Sequence, residues 1–281
     1  MKKHLLLAVL FLAAPRPALA APAQASQQPV TISAAKSLTW DRKAKTYTAT
    51  KDVIATQGKV TLRSDTLTAN YISGRNGAAN VTTLDADGGV TITAPPYTAA
   101  GDHAVYRVKT GNAVLTGKNL QITSGKSILT AQDRIEYNSH DGTMTAIGSP
   151  KAVKGPDTLT ADVLSASFTK NAAGKMTART ITAHGHVVIK TVSETAMGDN
   201  GVYNTTTQKA VLTGNVRVLQ GKNWLQGTRA DVDMKTGISR LSGKGDAATD
   251  GRVTGTFYPQ QRKKQPVAGA PAAMPQTKAR N

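Results

Sequence analysis

The five residues Ala-Val-Leu-Thr-Gly occur twice in this chain, at 113–117 and at 210–214, and the offset of 97 between the two copies joins many other pairs. Asp65 matches Asp162, Leu67 matches Leu164, Ala69 matches Ala166, Gly77 matches Gly174, Val90 matches Val187, and Ile92 matches Ile189. Gly101-Asp102 matches Gly198-Asp199 in the same way. An internal duplication follows. Within each copy aromatic residues come at shorter intervals, since Trp40, Tyr71, Tyr106, Tyr137, Phe168 and Tyr203 are spaced by 31 or 35 residues. A unit of that length holds two strands of about ten residues and their turns.

The body from 30 to 258 has no sustained apolar pattern at helical spacing, whereas alternation of period two recurs throughout. In 65–71 (DTLTANY), Leu67, Ala69 and Tyr71 share one face and Thr66, Thr68 and Asn70 the other; in 215–219 (NVRVL), Val216 and Val218 share one face. Gly111-Asn112, Asp141-Gly142 and Thr236-Gly237 separate such runs with residues that tolerate positive φ. These features predict an all-β body of antiparallel, hairpin-like repeats, an elongated sandwich or jelly roll of 13 to 15 strands. A β-solenoid has a similar unit length and stays open at this point.

Residues 1–20 place Lys2 and Lys3 before an apolar run and end in Ala18-Leu19-Ala20, the pattern of a cleaved export signal. A flexible segment is expected over 21–29. The chain has no cysteine, which excludes a disulfide scaffold and a cysteine-ligated zinc module. Its formal charge of +18 falls to +15 once Lys2, Lys3 and Arg16 leave with the signal, and to +10 on the body without the five basic residues of 259–281. That last segment, rich in Pro, Ala and Gln and free of acidic residues, reads as a disordered basic tail. A basic exported protein is drawn to extracytoplasmic polyanions; nucleic acid is not the expected partner.

No catalytic constellation is visible. His103, His140, His184 and His186 form no spaced metal motif, although alternation puts His184 and His186 on one strand face without a third ligand. Asp65, Asp102, Asp133, Asp162 and Asp199 recur with the units and read as turn or strand-start residues rather than a glycosidase pair. No enzyme activity, metal or cofactor is expected. What recurs is an inward lining that includes Leu38, Trp40, Leu67, Tyr71, Ile92 and Tyr106. It continues with Tyr137, Phe168, Ile189 and Tyr203. Because many intervening inward positions are Ala, such as Ala69, Ala104 and Ala166, the two layers are expected to leave an apolar slot with basic residues at its rim.

The opening stretch 28–71 has Gln28-Pro29, the alternating Val30 and Ile32, Val53, Gln57-Gly58 and a strand ending at Tyr71. Together with 103–122, its repeat at 200–221, and the closing GRVTGTFYP at 251–259, it resembles the LptA/OstA family of lipopolysaccharide-transport proteins. Lys51-Asp52-Val53 departs from that family's G-N-V segment. The resemblance implies an open, twisted β-jelly roll in the periplasm that shields lipopolysaccharide acyl chains between an inner-membrane LptC-like and an outer-membrane LptD-like component. It also implies a head-to-tail homo-oligomer, with Val30 and Ile32 at one edge and Val253 and Phe257 at the other, and adds Val30 and Ile32 to the lipid-facing positions.

Overall fold

The computed structural model describes residues 30–74, 79–170, 176–243 and 252–258. The expected signal (1–20), flexible segment (21–29) and basic tail (259–281) lie outside the described residues.

The described chain forms one 20-stranded sheet. β1 (Thr31–Ser33) and β2 (Ser37–Asp41) lie end to end along one side of β3 (Thr46–Gln57). β3 pairs with β4 (Val60–Ser73), β4 with β5 (Ala79–Ala94), and β5 with β6 (Tyr97–Arg107). Beyond β6 the ladder divides. β7 (Asn112–Thr116) leads through β10 (Arg134–Asn138) and β11 (Thr143–Ile147) to β14 (Val163–Lys170). β8 (Leu120–Ser124) leads through β9 (Ser127–Ala131) and β12 (Lys151–Lys154) to β13 (Asp157–Thr160). The two rows rejoin on β15 (Met176–Lys190), and long strands resume as β16 (Thr195–Asn204), β17 (Lys209–Gln220) and β18 (Asn223–Asp233). β19 (Ile238–Ser242) and β20 (Thr254–Thr256) share the far side of β18.

Every one of these pairings is antiparallel, which excludes the parallel rungs of a solenoid. The two rows face each other: Leu129 of β9 and Leu159 of β13 share one small void with Met144 of β11 and Leu164 of β14. The molecule is therefore two layers around one interior, and long strands pass from one layer to the other through a bulge. The interior is a single cluster in which Val53, Leu67, Val90, Leu120, Val187 and Val216 are almost fully buried among many alanines.

The bulges explain how period-two alternation survives a corner. Lys51-Asp52, Gly88-Gly89, Gly148-Ser149, Gly185-His186 and Gly214-Asn215 each hold two consecutive residues at positive φ, and Gly117 stands alone at +139°. The ladder loses register there, as between Thr50 and Val53, Asp87 and Val90, and Thr213 and Val216. Such insertions bend a strand, and these strands keep their inward face through the corner: Ala49 and Val53, Ala86 and Val90, Ala183 and Val187, and Leu212 and Val216 are all buried. Corners 51, 88 and 117 recur at 148, 185 and 214, the sequence offset of 97 written in backbone geometry.

The recurring aspartates belong to these corners. A Cβ added to Gly88, Gly117, Gly148, Gly185 or Gly214 would strike Asp65, Asp102, Asp133, Asp162 or Asp199 respectively. The carboxylates reach across the bend: Asp102 Oδ2 accepts from the Lys118 amide at 2.8 Å, and Asp199 Oδ2 accepts from Asn215 Nδ2 at 2.9 Å. At the first corner Lys36 and Lys51 occupy the Asp and Gly places. The G-N-V departure noted in the sequence is thus a corner built without its glycine.

Two expectations are corrected, the strand count, which is twenty among the described residues against the 13 to 15 expected, and the strand length. Strands of about ten residues hold for β3–β6 and β15–β18, but between them each crossing is cut into two strands of four or five residues, apart from the longer β14. The cause is the corner segments themselves, which leave the ladder there; one contains Pro150, which has no amide hydrogen to donate. His184 and His186 are both exposed, and the bulge of Gly185 and His186 takes His186 out of the ladder. His186 Nδ1 instead sits 2.8 Å from Asp162 Oδ2, serving the corner.

Candidate functional site

Where the ladder divides, the layers part around a cavity of about 500 Å³. Its wall is built by Ile92 and Ala94 at the end of β5, Pro95 and Pro96 in the turn, and Tyr97, Ala99 and Ala104 of β6. Leu115, Ile122, Ile135, Tyr137, Met144 and Phe168 complete it. No Lys, Arg, Asp or Glu is among the lining residues, so the expected basic rim is not part of the wall. The volume lies in the range of small-molecule sites, and the wall is almost wholly hydrocarbon. Small side chains create the space, since the inward row Tyr106, Ala113, Tyr137 runs across β6, β7 and β10 with alanine at its centre.

The polar atoms at this site are phenols. Burial, followed by the neighbouring Tyr137, raises the Tyr97 pKa above its ordinary value; burial, followed by Tyr106, does the same to Tyr137. Both hydroxyls therefore stay protonated and neutral at neutral pH beside an apolar wall.

The positions expected to face lipid fall into three settings. Ile92, Tyr137 and Phe168 line the large cavity, with Tyr106 beside Tyr137. Leu67 and Tyr71 are packed in the core, where Tyr71 Oη accepts from Trp40 Nε1 at 2.8 Å, and Ile189 and Tyr203 line a void of about 40 Å³ in the second copy. Val30, Leu38 and Trp40 are half exposed or more at the β1/β2 edge, with Ile32 packed against the core. At the opposite edge Ile238, Val253, Phe257 and Tyr258 are exposed. Among the described residues neither β1 and β2 nor β19 and β20 carries a further strand on its outer side.

Tyr97, Pro95, Pro96 and Met144 were not legible as site residues. They fall where the copies differ, opposite Glu194, Val192, Ser193 and Leu241, and a search for recurrence passes over them. Asp85, Asp87 and His103 also gather on the outer face, their ligand atoms within 4.8 Å of one another and His103 Nδ1 2.6 Å from Asp87 Oδ1. Among the described residues no helix is long and apolar enough to cross a membrane.

The model of a family described as LptA/(LptD N-terminal domain) LPS transport protein matches this sequence twice, over residues 32–143 and 133–238. The chain belongs to that family. Its two matches fall one on each copy of the duplication. An uncharacterized protein of Rhizobium meliloti (strain 1021) is 30% identical over 152 residues, which are 52% of this chain and 78% of that protein. A crystal structure of LptH, described as the LptA homologous periplasmic component of the conserved lipopolysaccharide transport device from Pseudomonas aeruginosa, superposes with a TM-score of 0.39 at 19% identity. That match covers 47% of this chain and 95% of LptH.

Proposed function

We propose that this family member is a periplasmic lipopolysaccharide-binding protein without enzymatic activity, which shelters acyl chains between its layers on their way from inner to outer membrane. The observation that carries the reading is the apolar cavity of about 500 Å³ in a chain of a lipopolysaccharide-transport family. Each methylene moved from water into such a wall is stabilised by about 0.8 kcal/mol, so even one long acyl chain is held by several kcal/mol without any bond being made. The neutral phenol of Tyr137 suits the polar linkage where an acyl chain meets its head group. The unpaired edges favour end-to-end strand pairing, with the Val30–Ile32 end meeting the Val253–Phe257 end of a second copy or of LptC-like and LptD-like components.

Depleting the protein from its own cell tests this. Newly made lipopolysaccharide is expected to accumulate at the inner membrane within the time taken to dilute the protein out; normal surface delivery would overturn the proposal.

A further inference from the structure

The strand ends that lie away from the corners differ between the two copies. In the first copy the β2–β3 turn holds Arg42, Lys43 and Lys45, β4 ends with Ile72 and Ser73, Val81 lies near the start of β5, and Arg107, Val108 and Lys109 close β6. Pairing makes these ends neighbours. The Tyr71 amide donates to the Lys45 carbonyl at 3.0 Å, Tyr71 stands opposite Val81, and the Val108 amide donates to the Thr82 carbonyl at 3.0 Å. With adjacent strands about 4.8 Å apart, the patch from β3 to β6 is about 15 Å wide.

Its surface is both apolar and basic. Ile72, Val81 and Val108 are exposed, as are all five cations, and the Arg42 guanidinium lies 4.2 Å from the centre of the half-exposed Trp40 ring. Among the described residues none of the five cations forms an ion pair. Asp41 is the one acidic residue in 41–45, 70–73, 79–82 and 107–110, and its Oδ1 already accepts the amides of Lys43 and Ala44, each at 2.8 Å. The second copy builds the same strand ends from other residues. At the offset of 97, Arg42, Lys43 and Lys45 become Ser139, His140 and Gly142, Ile72 becomes Thr169, Val81 becomes the buried Ala178, and Arg107-Val108-Lys109 become Asn204-Thr205-Thr206. Folding of this end therefore does not require the exposed aliphatic and cationic side chains of the first copy.

We infer that these strand ends of the first copy are a docking surface for a membrane of anionic phospholipid. The cations meet the lipid phosphates, and Ile72, Val81 and Val108 reach the acyl boundary beneath them. A soluble polyanion would engage the cations but leave the three aliphatic side chains in water. The surface is distinct from the cavity and needs no lipopolysaccharide; it holds the first copy against the bilayer with its corners turned away.

Co-sedimentation of the chain lacking residues 1–20 with vesicles of phosphatidylglycerol and phosphatidylethanolamine, free of lipopolysaccharide, tests this. Each cation near such a surface contributes about fivefold to affinity, so Arg42→Gln/Lys43→Gln/Lys45→Gln is expected to weaken binding about a hundredfold. Arg179→Gln/Lys209→Gln/Lys222→Gln removes the same charge from the second copy and is expected to weaken it less than about fivefold. Ile72→Ser/Val108→Ser keeps every charge and is expected to weaken it about tenfold. Equal losses from the two triple variants would mean attraction by overall charge, and full binding by Ile72→Ser/Val108→Ser would mean a site for a soluble polyanion or an acidic protein. Either result, or no binding of the unaltered chain to these vesicles, overturns the docking surface while the cavity stands.

Discussion

Ala113→Phe is expected to weaken lipid binding about a hundredfold while the protein stays folded. Ala113 lies on the inward face of β7, directly between Tyr106 and Tyr137 in the register, and borders the large cavity. A phenyl ring there occupies space that an acyl chain would fill. Excluding about four methylenes at about 0.8 kcal/mol each costs about 3 kcal/mol, which is about two powers of ten in dissociation constant. Overpacking normally destabilises a dense core, but this ring enters a void, so the urea midpoint should stay level or rise. Titration with a fluorescent lipopolysaccharide, beside a denaturation curve, reads both quantities. Unchanged affinity in a folded variant would mean that the cavity is not where lipid sits.

Gly117→Ala should be the most damaging small substitution in the molecule, with a loss of about 3 kcal/mol. The residue sits at φ +139°, a region that side chains rarely adopt, and its new Cβ would overlap the backbone nitrogen of Asp102. Backbone cannot swing aside as a side-chain tip can. Gly125→Ala is the matched control: φ is +57° and no atom lies within 4 Å of the new Cβ, so only the left-handed penalty of about 1 kcal/mol applies. The reverse change is favourable at the first corner, where Lys51 holds φ +70°, and Lys51→Gly is expected to gain about 1 kcal/mol. Equal urea midpoints for Gly117→Ala and Gly125→Ala would remove the corner argument.

Much of this architecture could be read from residues alone. Alternation put Leu67, Ala69 and Tyr71 on one face correctly, and all three are buried. The recurrence of Asp65, Asp102, Asp133, Asp162 and Asp199 was visible, but not its purpose, because each carboxylate meets a glycine 15 to 23 residues away in sequence. The bulge at Gly185-His186 was hidden for a related reason: alternation assumes a regular strand, and the bulge is only apparent once the register is known.

The site was less legible than the fold. Leu38 and Trp40 do face inward, opposite Ala49 and Tyr47, yet nothing in their own pattern told that β2 would be an edge strand and leave them half exposed or more. Repetition identified the walls common to both copies. The cavity itself depends on what is not repeated, the Pro95-Pro96-Tyr97 turn and the parting of the middle strands, and local periodicity carries no signal for either.

The central claim is that lipopolysaccharide travels between the layers, and adjacent residues on β10 test it directly. Tyr137 points into the cavity, while Glu136 lies on the outer face beside Arg134, its Oε1 2.5 Å from Arg134 Nε. With benzoylphenylalanine placed at each position in living cells, irradiation is expected to yield a lipopolysaccharide adduct from 137 and none from 136. Adducts of equal yield from both, or from neither, would contradict the account.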